Sequence, residues 1–344
     1  MTFDIHSSTA VEQYRRQFRL DPHVIHKFRK SLLRKFESDA EALSYLPAEQ
    51  RPSLHCLTVE HYMDSQVDGA TRLLLRTPAG NVIECVILRI ASGRSTLCVS
   101  CQAGCAAACD FCATGKLGIA KNLSVAEILD QVVIGGQVLA TEGRRLDNIV
   151  FMGMGEPFHN AATLTESLRQ LIDPTLFARS SSGILVSTVG IPERMIAFAE
   201  QFPKVNLALS LHSADTASRR TLIPLEQKHP LAELKSAVKQ VNQIQGRPLM
   251  VEYLMLHGVN DSDQCASQLI EWLSGLTVKV NLIPFNPITD APHLRCSPRG
   301  VIQRFAQQIR KAGYETTVRY SLGADIAAAC GQLARTLQIE NSDC

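Results

Sequence analysis

The sequence predicts an α/β protein: a partial (β/α)6 barrel carrying a small helical unit at its amino terminus. Three observations lead there. From about Leu97 onward, short runs rich in Val, Ile and Leu alternate with helical segments of roughly 12 to 16 residues. Such alternation gives parallel strands with helices outside. Polar motifs fall at the carboxyl ends of those runs, where parallel barrels keep their chemistry. Before about residue 75 the rhythm is different, helical and basic.

The amino-terminal unit reads as a helix over 11–36 and a short one over 39–46, ended by Pro47. Between Tyr14 and Lys35 stand Arg15, Arg16, Arg19, Lys27, Arg29, Lys30, Arg34 and Lys35, with Asp21 the only acid. That stretch suits phosphate contacts, or it is simply a solvated helix face. Segments 72–76 and 82–90 flank Pro78-Ala79-Gly80 and read as a hairpin. The division expected is 1–75 for an accessory unit, with phosphate contact one reading of its basic stretch, and 76–344 for the barrel with its leading hairpin. Barrel strands are expected near 97–101 and over 148–152, 184–188, 205–211, 249–256 and 278–283, with a further strand at 316–320. Helices are expected near 124–138, 161–172, 192–201, 230–244, 261–274 and 298–312. Ser124 and Glu127 form a capping box that satisfies orphan amides at one helix start.

At 344 residues and 45% hydrophobic, the chain can bury a large core. It shows no run long enough for a membrane helix and no signal peptide, so a cytoplasmic location is expected. The net charge of +2 argues for no particular partner. Eleven cysteines without an export signal favour metal or catalysis over disulfides. Cys98, Cys101, Cys105, Cys109 and Cys112 crowd together. Cys56, Cys85, Cys265, Cys296 and Cys344 read as ordinary small residues.

Cys105, Cys109 and Cys112 stand as CxxxCxxC. Three thiolates on one loop hold three corners of a four-iron cluster and leave one iron open, the arrangement that binds S-adenosylmethionine. Phe111 is placed to shield it, and Gly104 and Gly115 allow tight turns. Two other readings stay open. Cys98 or Cys101 completes a structural zinc site, or the triplet belongs to an electron-carrier ferredoxin.

Gly153-Met154-Gly155-Glu156-Pro157 follows the strand at 148–152 directly. Its glycines admit a ligand to the backbone, and Glu156 offers a carboxylate to an ammonium group. Ser187-Thr188, Ser210-Leu211-His212 and Asn281 through Pro287 end three further strands. Each is a weak signal alone; four converging on one barrel mouth make a stronger one.

Together, Cys98-Val99-Ser100, the cysteine triplet, Gly153–Pro157, Ser210-Leu211-His212 and Ala329-Cys330-Gly331-Gln332-Leu333 resemble the RlmN/Cfr family, radical S-adenosylmethionine RNA adenine methyltransferases. The resemblance covers about residues 80–335. It implies a [4Fe-4S] cluster on Cys105, Cys109 and Cys112. It also implies an S-adenosylmethionine pocket of Gly155, Glu156, Ser187, Ser210, Leu211, His212 and Asn286, with two S-adenosylmethionine molecules used per turnover. Cys330 is similar to the cysteine that carries a methyl group, Cys98 to its partner thiol, and Glu84 to a proton acceptor. On that pattern Cys330 is methylated first. A hydrogen is then removed from the methyl group, the resulting radical adds to the base, and a Cys98–Cys330 disulfide releases the RNA. The implied partners are 23S rRNA, tRNA and an electron donor such as flavodoxin, with the enzyme a monomer. Arg144, Arg145, Arg219 and Arg220 are further candidates for RNA backbone contacts.

Two branches share these motifs, methylating carbon 2 or carbon 8 of adenine. Leu322-Gly323 before Asp325-Ile326 departs from the carbon-2 branch, and Ser213 is similar to the carbon-8 branch, whereas Glu156-Pro157 is similar to the carbon-2 branch. Two other function classes compete: a radical enzyme acting on a small molecule or protein, and a zinc-bound RNA-binding module.

Overall fold

The computed structural model describes residues 3–334; Cys344 lies outside the described residues. It opens with α1 (Ser8–Gln17), α2 (Pro22–Arg29) and α3 (Asp39–Leu43). The single helix expected over 11–36 is interrupted. Arg19 takes a left-handed φ of 52°, Asp21 accepts the His23 N–H, and Pro22 occupies the first turn of α2. Proline suits that position and cannot donate back into a preceding helix, so a new helix starts there. A π-helical stretch, Lys30–Lys35, then leads to Phe36. A capping box between Ser38 and Glu41 starts α3.

Strands β1 (Thr58–Asp64), β2 (Ala70–Arg76), β3 (Val82–Arg89) and β4 (Ser95–Cys98) pair antiparallel in sequence. The expected hairpin is β2–β3, with Arg76 opposite Val82. β1 has no counterpart in the sequence pattern, because Thr58–Asp64 is a polar edge strand with little to bury. Both β1 and most of β2 precede residue 75, yet they belong to the same ten-stranded sheet as the barrel.

β5 (Gln102–Gly104) and β6 (Ile119–Asn122) form a separate ribbon, with α4 (Ala113–Lys116) between them. The barrel continues through α5 (Val125–Thr141), β7 (Asn148–Phe151), α6 (Ala161–Ile172), β8 (Ile184–Thr188), α7 (Pro192–Gln201) and β9 (Asn206–Ser210). It ends with α8 (Thr216–Leu222), α9 (Leu231–Gln245), β10 (Leu249–Met255), α10 (Asp263–Leu273), β11 (Val278–Pro284), α11 (Arg299–Lys311) and β12 (Thr316–Val318). β4 and β7 to β12 pair in parallel in that order. Among the described residues the sheet ends at β1 and β12 without closing, so the barrel is partial, as expected.

Leu97, Ile149, Val186, Leu207, Val251 and Val280 are buried at the sheet centre, each worth roughly 1.5–3 kcal/mol of burial. The amino-terminal unit docks on α5. A Cβ at Gly136 would lie 2.5 Å from the Phe36 ring, so only glycine admits that ring. His55 bridges the same junction, with Nδ1 2.6 Å from Asp130 of α5 and Nε2 3.0 Å from Asp39. Burial opposes charge on His55, but the bonds to both carboxylates outweigh it and raise its pKa to about 10.

Candidate active site

The β5–β6 ribbon holds the cysteine loop at its base, where Cys105 N–H donates to the Gly118 carbonyl at 2.9 Å. Asp110 N–H reaches the Leu222 carbonyl at the end of α8, also at 2.9 Å, and Ala108 adopts a left-handed φ of 52°. These restraints turn Cys105, Cys109 and Cys112 towards one cavity of about 150 Å³. The other walls include Gly155, Glu156, Ser187, Ser210, His212, Glu252 and Cys330.

The strand ends converge as the sequence implied, but their roles separate. Glu156 is buried, and its carboxylate accepts Phe158 N–H (2.9 Å), Thr188 Oγ1 (2.8 Å) and Val189 N–H (2.9 Å). Burial raises its pKa, and those bonds oppose the rise. Gly155 has φ +105°, and a Cβ there would sit 2.6 Å from that of Gln102. His212 lies in the left-handed region (φ 59°) and accepts the Leu254 N–H on Nδ1 at 3.0 Å, which leaves its proton on Nε2. Burial, assisted by Arg219, lowers its pKa to about 3, so the ring is neutral. It meets the Phe111 ring edge-on at 4.7 Å.

Sequence reasoning missed Glu252. In β10 it lies opposite Ser210 and Asn281 of the flanking strands. Ser187 Oγ donates to its Oε2 at 2.8 Å, and its buried Oε1 has no protein partner. The only prior signal was a lone acid inside an apolar run.

Cys330 also faces a second, largely apolar cavity of about 320 Å³, lined by Val86, Cys98, Met152, Arg319, Tyr320 and Ala329 among others. Burial, with a contribution from Cys330, pushes the Cys98 thiol up to about 12, and Arg319 opposes this. The disulfide implied by the resemblance is absent. Cys98 and Cys330 are both free thiols.

Three implied site residues lie elsewhere. Leu211 is fully buried behind the cavity wall. Asn286 turns to the Cys330 segment, with Nδ2 donating to the Cys330 carbonyl (3.1 Å) and to Ser321 Oγ (3.0 Å). Glu84 lines neither cavity and is ion-paired with Arg72 at 2.8 Å. Arg219 is not an RNA-facing residue. It is 1% exposed, paired with Glu226, and donates to the Leu211 carbonyl at 3.1 Å and the Val189 carbonyl at 2.7 Å. A long arginine reaches inward there because three strand-end carbonyls and one buried acid need donors.

The donor set fits a cluster with S-adenosylmethionine. Burial raises the pKa values of all three loop thiols, Cys105 to about 12, so thiolates there require a strong cationic partner. Among the described residues, no three donors are gathered as a single metal ion would need. The unpartnered Glu252 Oε1 offers an acceptor to a hydroxyl or ammonium donor in the cavity.

The radical SAM superfamily profile matches residues 99–268. A crystal structure of a radical SAM methyltransferase from Sphaerobacter thermophilus superposes with a TM-score of 0.90 at 36% identity, covering 98% of each chain. Fold and site together define a radical SAM methyltransferase that uses a [4Fe-4S] cluster and S-adenosylmethionine. A probable RNA methyltransferase of Rhodopirellula baltica is 57% identical over 325 residues, 94% of this chain and 86% of that one. The dual-specificity RNA methyltransferase RlmN of Alkalilimnicola ehrlichii is 42% identical over 272 residues, 79% of this chain and 75% of that one. The chain belongs to the RlmN/Cfr family. No helix among the described residues is long and apolar enough to cross a membrane.

Proposed function

We propose that this enzyme methylates a ring carbon of adenine, carbon 2 or carbon 8, in RNA, with Cys330 as the methyl carrier. One observation carries the reading: Cys330 lines both the cavity of the cysteine triplet and the separate chamber of Cys98. A sulfur in the wall between two chambers can be loaded from one and unloaded into the other.

When bound on Cys105, Cys109 and Cys112, the cluster with S-adenosylmethionine supplies radical chemistry that activates a methyl group. Gly155, Glu156, Ser187, Ser210, His212 and Glu252 hold the sulfonium substrate. The Cys330 thiolate attacks its methyl carbon, forming an S–C bond as the sulfonium S–C bond breaks. The largely apolar walls of the second chamber exclude water from the adenine. Cys98, in that chamber, attacks the Cys330 sulfur, forming an S–S bond as the S–C bond to the RNA adduct breaks; a proton completes the product methyl group, and a thiol reductant then restores both cysteines.

An adenine must leave its stack to enter, so the substrate is an unpaired or splayed base, with 23S rRNA and tRNA the first RNAs to examine. Exposed Arg19, Lys27 and Lys30 on the amino-terminal unit, and Arg144, Arg145 and Arg220 on the barrel, are available for phosphates.

The test uses the reconstituted, oxygen-protected protein with methyl-deuterated S-adenosylmethionine. The label is expected on the Cys330 peptide before it reaches RNA. Cys98→Ala is expected to retain RNA covalently, and Cys330→Ala to give no methylated RNA. Labelled RNA from a protein that never carries label on Cys330 overturns the reading. Mapping modified adenines in 23S rRNA and tRNA, with and without the gene, assigns the base and its carbon.

A further inference from the structure

We infer that Glu84 is a positioning residue for Cys330, acting through Arg72, rather than a proton acceptor; this rests on the reading of Cys330 as methyl carrier. Glu84 lies in the middle of β3, fully buried, and its Oε1 accepts Arg72 Nη2 at 2.8 Å. Arg72, from β2 and 2% exposed, extends Nη1 to the carbonyl of Ile326 at 3.0 Å. Ile326 belongs to the segment that leads into Cys330.

The same segment is gripped at its outer side by the turn between β1 and β2. Ser65 Oγ and Gln66 N–H donate to the Asp325 carboxylate at 2.8 and 2.9 Å, and Gly323 N–H donates to Asp68 at 2.8 Å. Beyond Cys330, Ala113 N–H holds the Gly331 carbonyl at 2.7 Å, and Thr114 Oγ1 holds the Leu333 carbonyl at 2.6 Å. The sulfur therefore sits on a span anchored upstream by the antiparallel strands and downstream by the cysteine loop.

A carbonyl oxygen alone does not neutralise a buried guanidinium; that takes an opposite charge in good geometry. Glu84 supplies it and so keeps Arg72 under Ile326. A general base must reach the proton it removes, and Glu84 lines neither chamber. Its carboxylate is turned to Arg72.

The two roles act at different half-reactions, so a loading assay separates them. A proton acceptor acts only after the base has been attacked. Its loss leaves Cys330 loading intact and lets covalent RNA adduct accumulate. Loss of a positioning residue slows loading itself. With cluster content matched to wild type and methyl-deuterated S-adenosylmethionine as probe, Glu84→Gln and Arg72→Met are each expected to slow label arrival on the Cys330 peptide about tenfold. No RNA adduct is expected in either. If these buried variants fail to hold their cluster, Arg72→Lys decides, because it keeps a cation beside Glu84 and gives up the second arm that reaches the Ile326 carbonyl. It is expected to slow loading about threefold, and an unchanged rate overturns the inference. Wild-type loading in Glu84→Gln also overturns it, and accumulated adduct would then assign Glu84 as the proton acceptor. Absence of label on Cys330 in the wild-type protein is a different result, and overturns the carrier itself.

Discussion

Asn286 Nδ2 donates to the carbonyl of Cys330 at 3.1 Å, which ties the loop after β11 to the residue that faces both chambers. The same amide holds Ser321 Oγ. Two such bonds are worth about 0.5–1.5 kcal/mol each. Asn286→Ala is expected to slow Cys330 methylation about three- to tenfold while S-adenosylmethionine affinity stays within about twofold of wild type. Equilibrium dialysis and peptide mass measurement on the same preparation check both halves.

Gly155→Ala adds a Cβ at φ +105° and at 2.6 Å from Gln102. Gln102 is not free to yield: its Oε1 accepts Glu156 N–H at 2.8 Å, and its Nε2 donates to Asn122 at 2.6 Å. The expected cost is about 1–3 kcal/mol of stability, with a loss of S-adenosylmethionine affinity greater than about tenfold. Thermal melting and ligand titration report these separately.

Arg219→Ala leaves Glu226 buried without its cation and removes the donors to the Val189 and Leu211 carbonyls. Removing one partner of such a pair costs about 3–5 kcal/mol. Denaturant unfolding should show it. The salt dependence of RNA binding should be unchanged, because Arg219 reaches no surface.

His55 makes docking of the amino-terminal unit pH-dependent. Its pKa rises from 6.5 to about 10 in the folded protein, since the bonds to Asp130 and Asp39 outweigh burial. A raised pKa means that its stabilisation is complete below about pH 6.5 and is lost as pH climbs through about 10. The melting temperature of wild type should therefore converge on that of His55→Gln across this window. Equal pH slopes for the two proteins would refute it.

The parts of the site legible from sequence were those written along one segment. Cys105, Cys109 and Cys112 share a loop, and Gly155, Glu156, Ser187, Ser210 and His212 occupy strand ends that a parallel barrel must bring to one mouth. What escaped depends on pairing across segments. Glu252 becomes a site residue only once β9 and β11 flank it. Arg219 resembles a surface arginine until α8 turns it beneath three carbonyls. Glu84 differs from any acid in a strand only through Arg72 and Ile326. The long amino-terminal helix failed on local chemistry that was visible: Asp21-Pro22 is a start signal, and apolar periodicity alone overlooked it.

A sulfur that lines two rooms would, as the proposed carrier, set the arithmetic of turnover. Each polypeptide would then hold a single one-carbon unit at a time, and one donor molecule would load it while a second released it. On that reading a preloaded enzyme would consume one S-adenosylmethionine for its first product and two for each product after it.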